Sequence, residues 1–183
     1  MEVTEEMLYE WIETEDIEAM KKWLEKTDNV DFVYEYEVDR DYDEDDYYTE
    51  IRWSRPALYL AVYKQKTHMV KLLLEHGANP NFKNDTNGVV LYTAVEKQHV
   101  DIVALLLSFG ADVSLVGPYK KTPLMCAVSD QSNANYTEQH QYNLLDPAKK
   151  EIKTQIIKLL LKAGADPHEK VAGFPLSPYE ISA

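Results

Sequence analysis

The feature that most constrains this chain is a repeat of 33 residues. The segment PALYLAVYKQKTHMVKLLLEHGANPN, which begins at Pro56, matches VVLYTAVEKQHVDIVALLLSFGADVS, which begins at Val89. A third copy ends in IIKLLLKAGADP, where Gly164 repeats the glycine of the first two copies. Units of this length build stacked arrays, because one unit alone cannot bury its apolar face.

Each unit is predicted to contain two helices. Leu58, Ala61 and Val62 share one face of a first helix, because they are spaced at i, i+3 and i+4. A second, more apolar helix carries the leucine triplet at 72–74, and Gly77 follows it where the helix must end. The pattern therefore predicts an all-α solenoid of stacked helix pairs, with Leu73 buried in its core.

The repeat resembles the ankyrin repeat, whose signature is T-P-L-H-x-A, then an L-L-L helix, then G-A-D-x-N. The stretch TPLMCA, which begins at Thr122, keeps most of the first motif, and L-L-L-x-x-G-A occurs three times in phase. Departures from the signature are Pro56-Ala57 and Val89-Val90 for Thr-Pro, and Gln65-Lys66 and Gln98-His99 for Gly-His. The resemblance implies a protein-binding solenoid, in which β-turn fingers and first helices line a concave surface.

The repeat period predicts six segments. Residues 1–31 form a degenerate N-terminal capping repeat, with Thr27 in place of the glycine, and residues 32–53 are an insertion. Residues 54–86 and 87–119 are full repeats. Residues 120–172 form a repeat with an insertion between its helices at about 129–149, and 173–183 begin a C-terminal partial or capping repeat.

The insertion at 32–53 reads FVYEYEVDRDYDEDDYYTEIRW. Phe32, Tyr34, Tyr36 and Val38 alternate with polar residues, and the alternation returns from 47 to 53 after an acidic centre. Period-two alternation on both sides of a polar centre predicts a β-hairpin. We therefore expect an elongated acidic finger between the N-terminal repeat and the next one. A disordered acidic loop is the alternative, because the centre has the composition of disordered segments.

The net charge of −13 is concentrated near the N-terminus. Residues 1–30 carry −7 and residues 31–50 carry −9, so the remainder of the chain sums to +3. Acidic side chains steer basic partners and tyrosines supply contact area. We therefore predict a partner protein with a basic surface, and no binding to nucleic acid or membrane. The predicted partner-binding residues are Tyr34, Tyr36, Asp41, Tyr42, Asp43, Asp45, Asp46, Tyr47, Tyr48, Glu50 and Trp53.

No catalytic, metal or cofactor site is predicted, and the chain is not expected to be an enzyme. A weak resemblance to a calcium loop rests on Asp39, Asp41, Asp43 and Glu50. Glu44 occupies the position of that loop that requires glycine, so a solvated acidic turn is the better interpretation. The five histidines lack the spacing of metal ligands, and Cys126 is expected in the core.

The resemblance also implies a modification site. Asn81 matches the asparagine that follows G-A-D-x in the family, a known class of substrate for asparaginyl hydroxylation. Ser114 and His168 occupy the equivalent positions, so only Asn81 qualifies.

The single cysteine and the lack of a secretory signal or long apolar run favour a cytoplasmic protein, expected to be a monomer. Two alternatives to a free-standing adaptor stay open. In the first alternative, the chain is the N-terminal targeting or adaptor segment of a larger enzyme or of a secreted bacterial or viral effector, with the chemistry outside these residues. An effector of this kind would act in the host cytosol. A weaker alternative is an acidic mimic of nucleic acid.

Overall fold

The computed structural model describes residues 3–31, 56–83, 89–117, 120–129 and 147–169. Within these ranges the chain forms eight helices, which follow one another in four pairs. The units, numbered first to fourth, are α1 (Glu5–Thr14) with α2 (Ile17–Leu24), α3 (Ala57–Tyr63) with α4 (Thr67–Glu75), α5 (Val90–Glu96) with α6 (Val100–Ser108), and α7 (Pro123–Val128) with α8 (Pro147–Lys162).

The helices stack in two layers. The first helices α1, α3, α5 and α7 contact one another in chain order, and so do the second helices α2, α4, α6 and α8. Each first helix also packs on the second helix of its own unit. The main contacts therefore join partners within a unit or neighbouring units, as expected for a solenoid. The predicted all-α architecture of stacked helix pairs is confirmed for the described residues.

A continuous apolar core runs through all four units. Leu58, Ala61 and Val62 are fully buried on one side of α3, as predicted. Leu73 in α4 and Leu106 in α6 are likewise 0% exposed. The leucine triplets differ at their outer positions, since 72 and 74 are buried whereas 105 and 107 are half-buried.

The second helices of the last three units are each followed by a glycine, as predicted. Gly77, Gly110 and Gly164 adopt φ values of 88°, 82° and 96°. In all three turns the next residue, an alanine, donates its backbone N–H to the carbonyl oxygen five residues before it, at 3.0 Å. This pattern satisfies helix-terminal carbonyl groups and requires the left-handed conformation that glycine adopts without a steric penalty.

The starts of the first helices show what the departures from Thr-Pro remove. Thr122 caps α7, because its hydroxyl accepts the backbone N–H of Met125 at 3.2 Å and Pro123 occupies the first turn. Pro56 and Val89 precede α3 and α5 and make no side-chain cap. Those two helices depend on packing against their neighbours instead.

The turns between paired helices place residues other than glycine in the left-handed region. Glu15, Gln65 and Gln98 have φ values of 55°, 59° and 56° at equivalent positions of the first three units. Side chains with a Cβ adopt this conformation at a cost. The stacking of the helices therefore imposes the turn on a sequence that does not favour it.

Several predicted features lie outside the described residues. They include the acidic finger at 32–53, most of the inter-helix insertion and the segment 173–183. The boundaries of the six segments stay predictions. Lys83 and Val89 form an isolated antiparallel bridge, the only extended pairing in the part of the chain that the structure describes. None of the helices described combines the length and apolar character needed to cross a bilayer.

Candidate functional site

The residues predicted to bind a partner lie outside the described part of the chain. They are Tyr34, Tyr36, Asp41, Tyr42, Asp43, Asp45, Asp46, Tyr47, Tyr48, Glu50 and Trp53, and the calcium-loop resemblance at Asp39, Asp41, Asp43 and Glu50 shares their region. The described residues that flank this region, α1 and α2 before it and α3 after it, are therefore the place to look for supporting geometry.

One exposed face of α1 has the same chemistry as the predicted finger. This α1 acidic face consists of Glu6, Tyr9, Glu10 and Glu13. Their spacing of three and four residues places them on one side of the helix, and Tyr9 is 44% exposed. Leu8 and Ile12 lie on the other side and are buried in the core. The helix is thus fixed by its apolar side and presents carboxylates around a tyrosine.

A lysine of the second unit is already bound by this face. The Nζ atom of Lys64 lies 4.5 Å from the centre of the Tyr9 ring and donates a hydrogen bond to the Tyr9 hydroxyl. It also lies 3.1 Å from Oε2 of Glu13. The hydrogen bond to Tyr9, followed by that to Glu13, raises the pKa of Lys64. Both interactions favour the charged ammonium form.

A similar contact occurs one unit further along the stack. Lys97, which follows α5, places its Nζ atom 4.3 Å from the centre of the Tyr63 ring, and Tyr63 is 44% exposed. Lys64 and Lys97 occupy equivalent positions, 33 residues apart. The edge of the first-helix layer therefore carries exposed tyrosines that receive lysine side chains from the next unit. Sequence reasoning missed these pairs, because each joins residues of different units.

The structure places Asn81 between the second and third units. Its side-chain Nδ2 donates to the carbonyl oxygen of Gly110 at 3.1 Å. Its Oδ1 accepts the backbone N–H of Asp112 at 2.7 Å. Two hydrogen bonds of opposite direction thus connect the loops that follow α4 and α6. Asn81 has a structural role in the folded chain, whether or not it is modified.

Asp31 makes the corresponding link between the first and second units. The backbone N–H of Asn79 approaches Oδ1 and Oδ2 of Asp31 at 2.9 and 3.1 Å. This link was not predicted from the sequence. The available signal was spacing, since Asn29 and Asp31 precede Asn79 and Asn81 by the same 50 residues that separate Thr27 from Gly77.

The third such position belongs to Ser114. Its backbone N–H and its hydroxyl both bond to Oδ1 of Asp112, at 2.8 and 2.7 Å. These two bonds lower the pKa of Asp112. The serine side chain is therefore directed back to its own loop, unlike Asn81 and Asp31, which reach the next unit.

Within the described ranges, the remaining chemistry is sparse. No group of three or more histidine, cysteine, aspartate or glutamate residues there is arranged to hold a metal ion. The side chain of Cys126 lies on α7 and is buried, with 3% of its surface exposed. A cavity of about 40 Å³ lies beside it, between α5, α7 and α8.

Comparison with known proteins gives a family. A family model described as "Ankyrin repeats (3 copies)" matches residues 13–116 and 58–171. Together the two matches span most of the chain, which belongs to the ankyrin-repeat family. No curated protein matched the chain. Ankyrin repeats are generally protein–protein interaction modules and are typically not enzymes, so the family shows the kind of function while the partner is a matter for proposal.

Proposed function

We propose that this ankyrin-repeat protein binds a partner protein with a basic surface, through the predicted acidic finger together with the α1 acidic face. The observation that carries the proposal is the position of Lys64. A lysine ammonium is held there by a tyrosine ring and a carboxylate, at 4.5 and 3.1 Å. A basic partner would offer the same group to the same kind of surface.

Charge and exposure support this choice of partner. Residues 1–50 carry a net −16, while the rest of the chain sums to +3. Glu6 and Glu10 are exposed, and α1 contains no lysine or arginine. A concentrated negative charge attracts basic surfaces over distances near the Debye length, about 8 Å at physiological ionic strength. Exposed tyrosines then provide desolvated contact area in the formed complex.

The same charge distribution disfavours nucleic acid and anionic membranes as partners, because like charges repel. It also disfavours association of two acidic ends, so we propose that a single copy binds the partner. A cytoplasmic location is proposed because the chain has a single cysteine and so cannot form an internal disulfide, which suits a reducing compartment.

The proposal is tested by affinity capture from lysate, with the whole chain and three variants as baits. One variant lacks residues 33–51, and a second carries Glu6→Gln and Glu10→Gln. The matched control carries Glu18→Gln and Glu25→Gln, which remove two exposed charges from the second-helix layer. We expect a captured protein with a basic surface that the control retains, the deletion loses and the α1 variant binds more weakly. Retention by a folded deletion variant refutes the role of the finger.

Association and dissociation kinetics with the captured partner separate steering from anchoring. Changing Asp41, Asp43, Asp45 and Asp46 to asparagine should mainly slow association and flatten its salt dependence. Changing Tyr34, Tyr36 and Tyr48 to alanine should mainly speed dissociation, because aromatic anchors hold a formed complex. Neither set should change the far-ultraviolet circular dichroism spectrum. A collapse of the fold in the tyrosine variant would show that those rings are structural.

We also propose Asn81 as a substrate for asparaginyl hydroxylation. In the folded chain its side chain is bonded to Gly110 and Asp112, so the enzyme needs this loop to open. Pro80 stands before Asn81 in place of the usual aliphatic residue, so the hydroxylase must accept proline at that position. Mass spectrometry of the peptide after incubation with such a hydroxylase should show one added oxygen. An unshifted mass contradicts this assignment.

A further inference from the structure

We propose that the exposed side of α8 binds a second copy of this chain, at the acidic N-terminal end of that copy. The surface concerned is the α8 basic face, which consists of Lys150, Lys158, Leu161 and Lys162. Contact between unlike ends of two copies is a head-to-tail association. Because the α1 acidic face takes part, the contact rests on the proposed function and gives that face a second occupant.

The α8 basic face points away from the core. Ile156 and Leu160 are buried on the inner side of the helix, whereas the three lysines of the face are exposed and Leu161 is 43% exposed. α8 contains five lysines and one acidic residue, Glu151, whose carboxylate accepts a hydrogen bond from Gln155 at 3.1 Å. The core therefore fixes the helix and leaves a basic side with one apolar side chain exposed.

The charges of this face add little to the stability of their own helix. Lys158 and Lys162 are four residues apart, the spacing at which like charges on a helix repel. The equivalent positions of α4 hold Lys71 and Glu75, which form an ion pair at 3.8 Å. Lys150 lies in the first turn, where the helix dipole disfavours a positive charge, and of the three only Lys162 lies in the last turn, where the dipole favours it. Lysines placed against local preference are typical of a surface that meets opposite charges on another molecule.

The opposite end of the same chain has the complementary charge. Residues 1–50 carry a net −16, and the α1 acidic face presents Glu6 and Glu10 beside the exposed ring of Tyr9. These two carboxylates are four residues apart, as the last two lysines of the α8 basic face are, so each pair spans about 6 Å along its helix. Tyr9 and Leu161 supply an apolar contact beside the paired charges. The two faces therefore match in sign, in spacing and in apolar content.

A contact of this kind already exists inside the stack. Nζ of Lys64 lies 4.5 Å from the centre of the Tyr9 ring and 3.1 Å from Oε2 of Glu13, across the boundary between the first two units. Lys64 thus takes up Glu13, whereas Glu6 and Glu10 are exposed further along α1. Lysines from a second copy would meet the part of the α1 acidic face that the chain itself leaves uncovered.

The net charge of the chain makes this association depend on ionic strength in a characteristic way. Two copies of net charge −13 repel over long distances, and at about 0.01 M salt the screening length of about 30 Å leaves that repulsion strong. At about 0.15 M the screening length is about 8 Å, so the repulsion is reduced while the touching faces still attract. At about 1 M, with a screening length of about 3 Å, the attraction is weakened as well. We therefore expect association to be strongest near physiological ionic strength, unlike purely apolar association.

Sedimentation equilibrium of the whole chain, with no partner added, tests the contact. The average mass should rise with protein concentration and pass twice the mass of one chain, because a head-to-tail pair keeps an unused face at each end. Glu6→Lys with Glu10→Lys should weaken association at least about tenfold, and so should Lys158→Glu with Lys162→Glu in a separate variant. A wild-type mass that stays at one chain at every concentration overturns the proposal.

A mixture of the two reversed variants is the stricter test. Each keeps the face that the other has lost, so the equimolar mixture should associate again although neither variant does so alone. Lys22→Glu with Lys26→Glu is the matched control, because it reverses two exposed lysines of the first unit with the same spacing and the same change in net charge as the α8 variant. The control should weaken association less than about twofold, and far-ultraviolet circular dichroism should show every variant folded. A mixture no heavier than its components, or a control as weak as the α8 variant, overturns the proposal.

Affinity capture separates this contact from the proposed function. Lys158→Glu with Lys162→Glu leaves the α1 acidic face intact, so this variant should capture the basic partner as the whole chain does. A bound partner should also release the second copy, because both occupy the same acidic face and each copy binds the partner singly. Capture without self-association refutes only the head-to-tail contact, whereas self-association without capture of a basic protein refutes only the proposed function.

Discussion

The link made by Asn81 gives the sharpest test of how the units are coupled. Replacing Asn81 with alanine removes both hydrogen bonds between the second and third units, to Gly110 at 3.1 Å and from Asp112 at 2.7 Å. A neutral hydrogen bond contributes roughly 0.5–1.5 kcal/mol net. The bonds lie near the surface, so water partly replaces them, and we expect a total loss of about 1–2 kcal/mol in the free energy of unfolding.

Urea unfolding followed by far-ultraviolet circular dichroism measures this loss. Ser108→Ala is a matched control, because it removes a bond of 2.7 Å to Leu105 that stays within α6. We expect the control to lose less than about 0.5 kcal/mol. If Asn81→Ala loses no more than the control, the hydrogen bonds of Asn81 between the units do not stabilise the stack.

Three further predictions concern the core, a turn and a titrating group. Leu73→Ala and Leu106→Ala, each at a fully buried position, should each lower the free energy of unfolding by about 2–5 kcal/mol in the same urea assay. A loss below about 0.5 kcal/mol at both positions would mean that the buried faces are misassigned. Gln98→Gly should be neutral or stabilising by up to about 1 kcal/mol, because glycine relieves the backbone strain at φ 56° but gains conformational entropy in the unfolded chain. A clear destabilisation would show that the turn is not strained. The pKa of Asp112 is lowered in the folded chain, so the ionised carboxylate stabilises the fold above pH 3.8, and this stabilisation is lost as the pH falls through the folded pKa. Ser114→Ala removes the hydroxyl bond to Asp112 and should reduce the stabilisation. Identical acid unfolding profiles of the variant and the wild type would contradict this.

The sequence predicts the second helices well because they carry strong local signals. In the last three units each is an apolar run followed by a glycine, and the structure places those glycines in the left-handed conformation. The burial of Leu73 and Leu106 follows from the same pattern. The pattern does not predict that Leu72 and Leu74 are buried while Leu105 and Leu107 are half-buried, because this difference depends on the neighbouring helices rather than on the run itself.

The candidate site is predicted less completely, and the reason is again physical. Composition and alternation predict the finger, which stays a prediction because residues 32–53 lie outside the described part of the chain. The α1 acidic face and its contact with Lys64 were missed, because Tyr9 and Lys64 are 55 positions apart in sequence. The repeat period shows which residues are equivalent, but it does not show which side chains are long enough to contact the neighbouring unit. The long side chain of Lys64 reaches Tyr9 in the first unit, whereas the short side chain of Ser114 bonds to Asp112 in its own loop.

The turns between paired helices show that local preference and stacking are in conflict in this chain. Gln65 and Gln98 stand where the ankyrin signature has glycine, yet both adopt φ near 60°, at 59° and 56°. The cost is of order 1 kcal/mol for each. Both turns belong to internal units, which are packed against neighbours on two sides, so that packing can offset the strain. A strained turn in a unit that packs against one neighbour has less of that compensation. Among the described helices, those of the first unit pack mainly against the second unit, and the turn between them has Glu15 at φ 55°. The stability of the first unit should therefore depend on the link from Asp31 to Asn79 more than the internal units depend on Asn81.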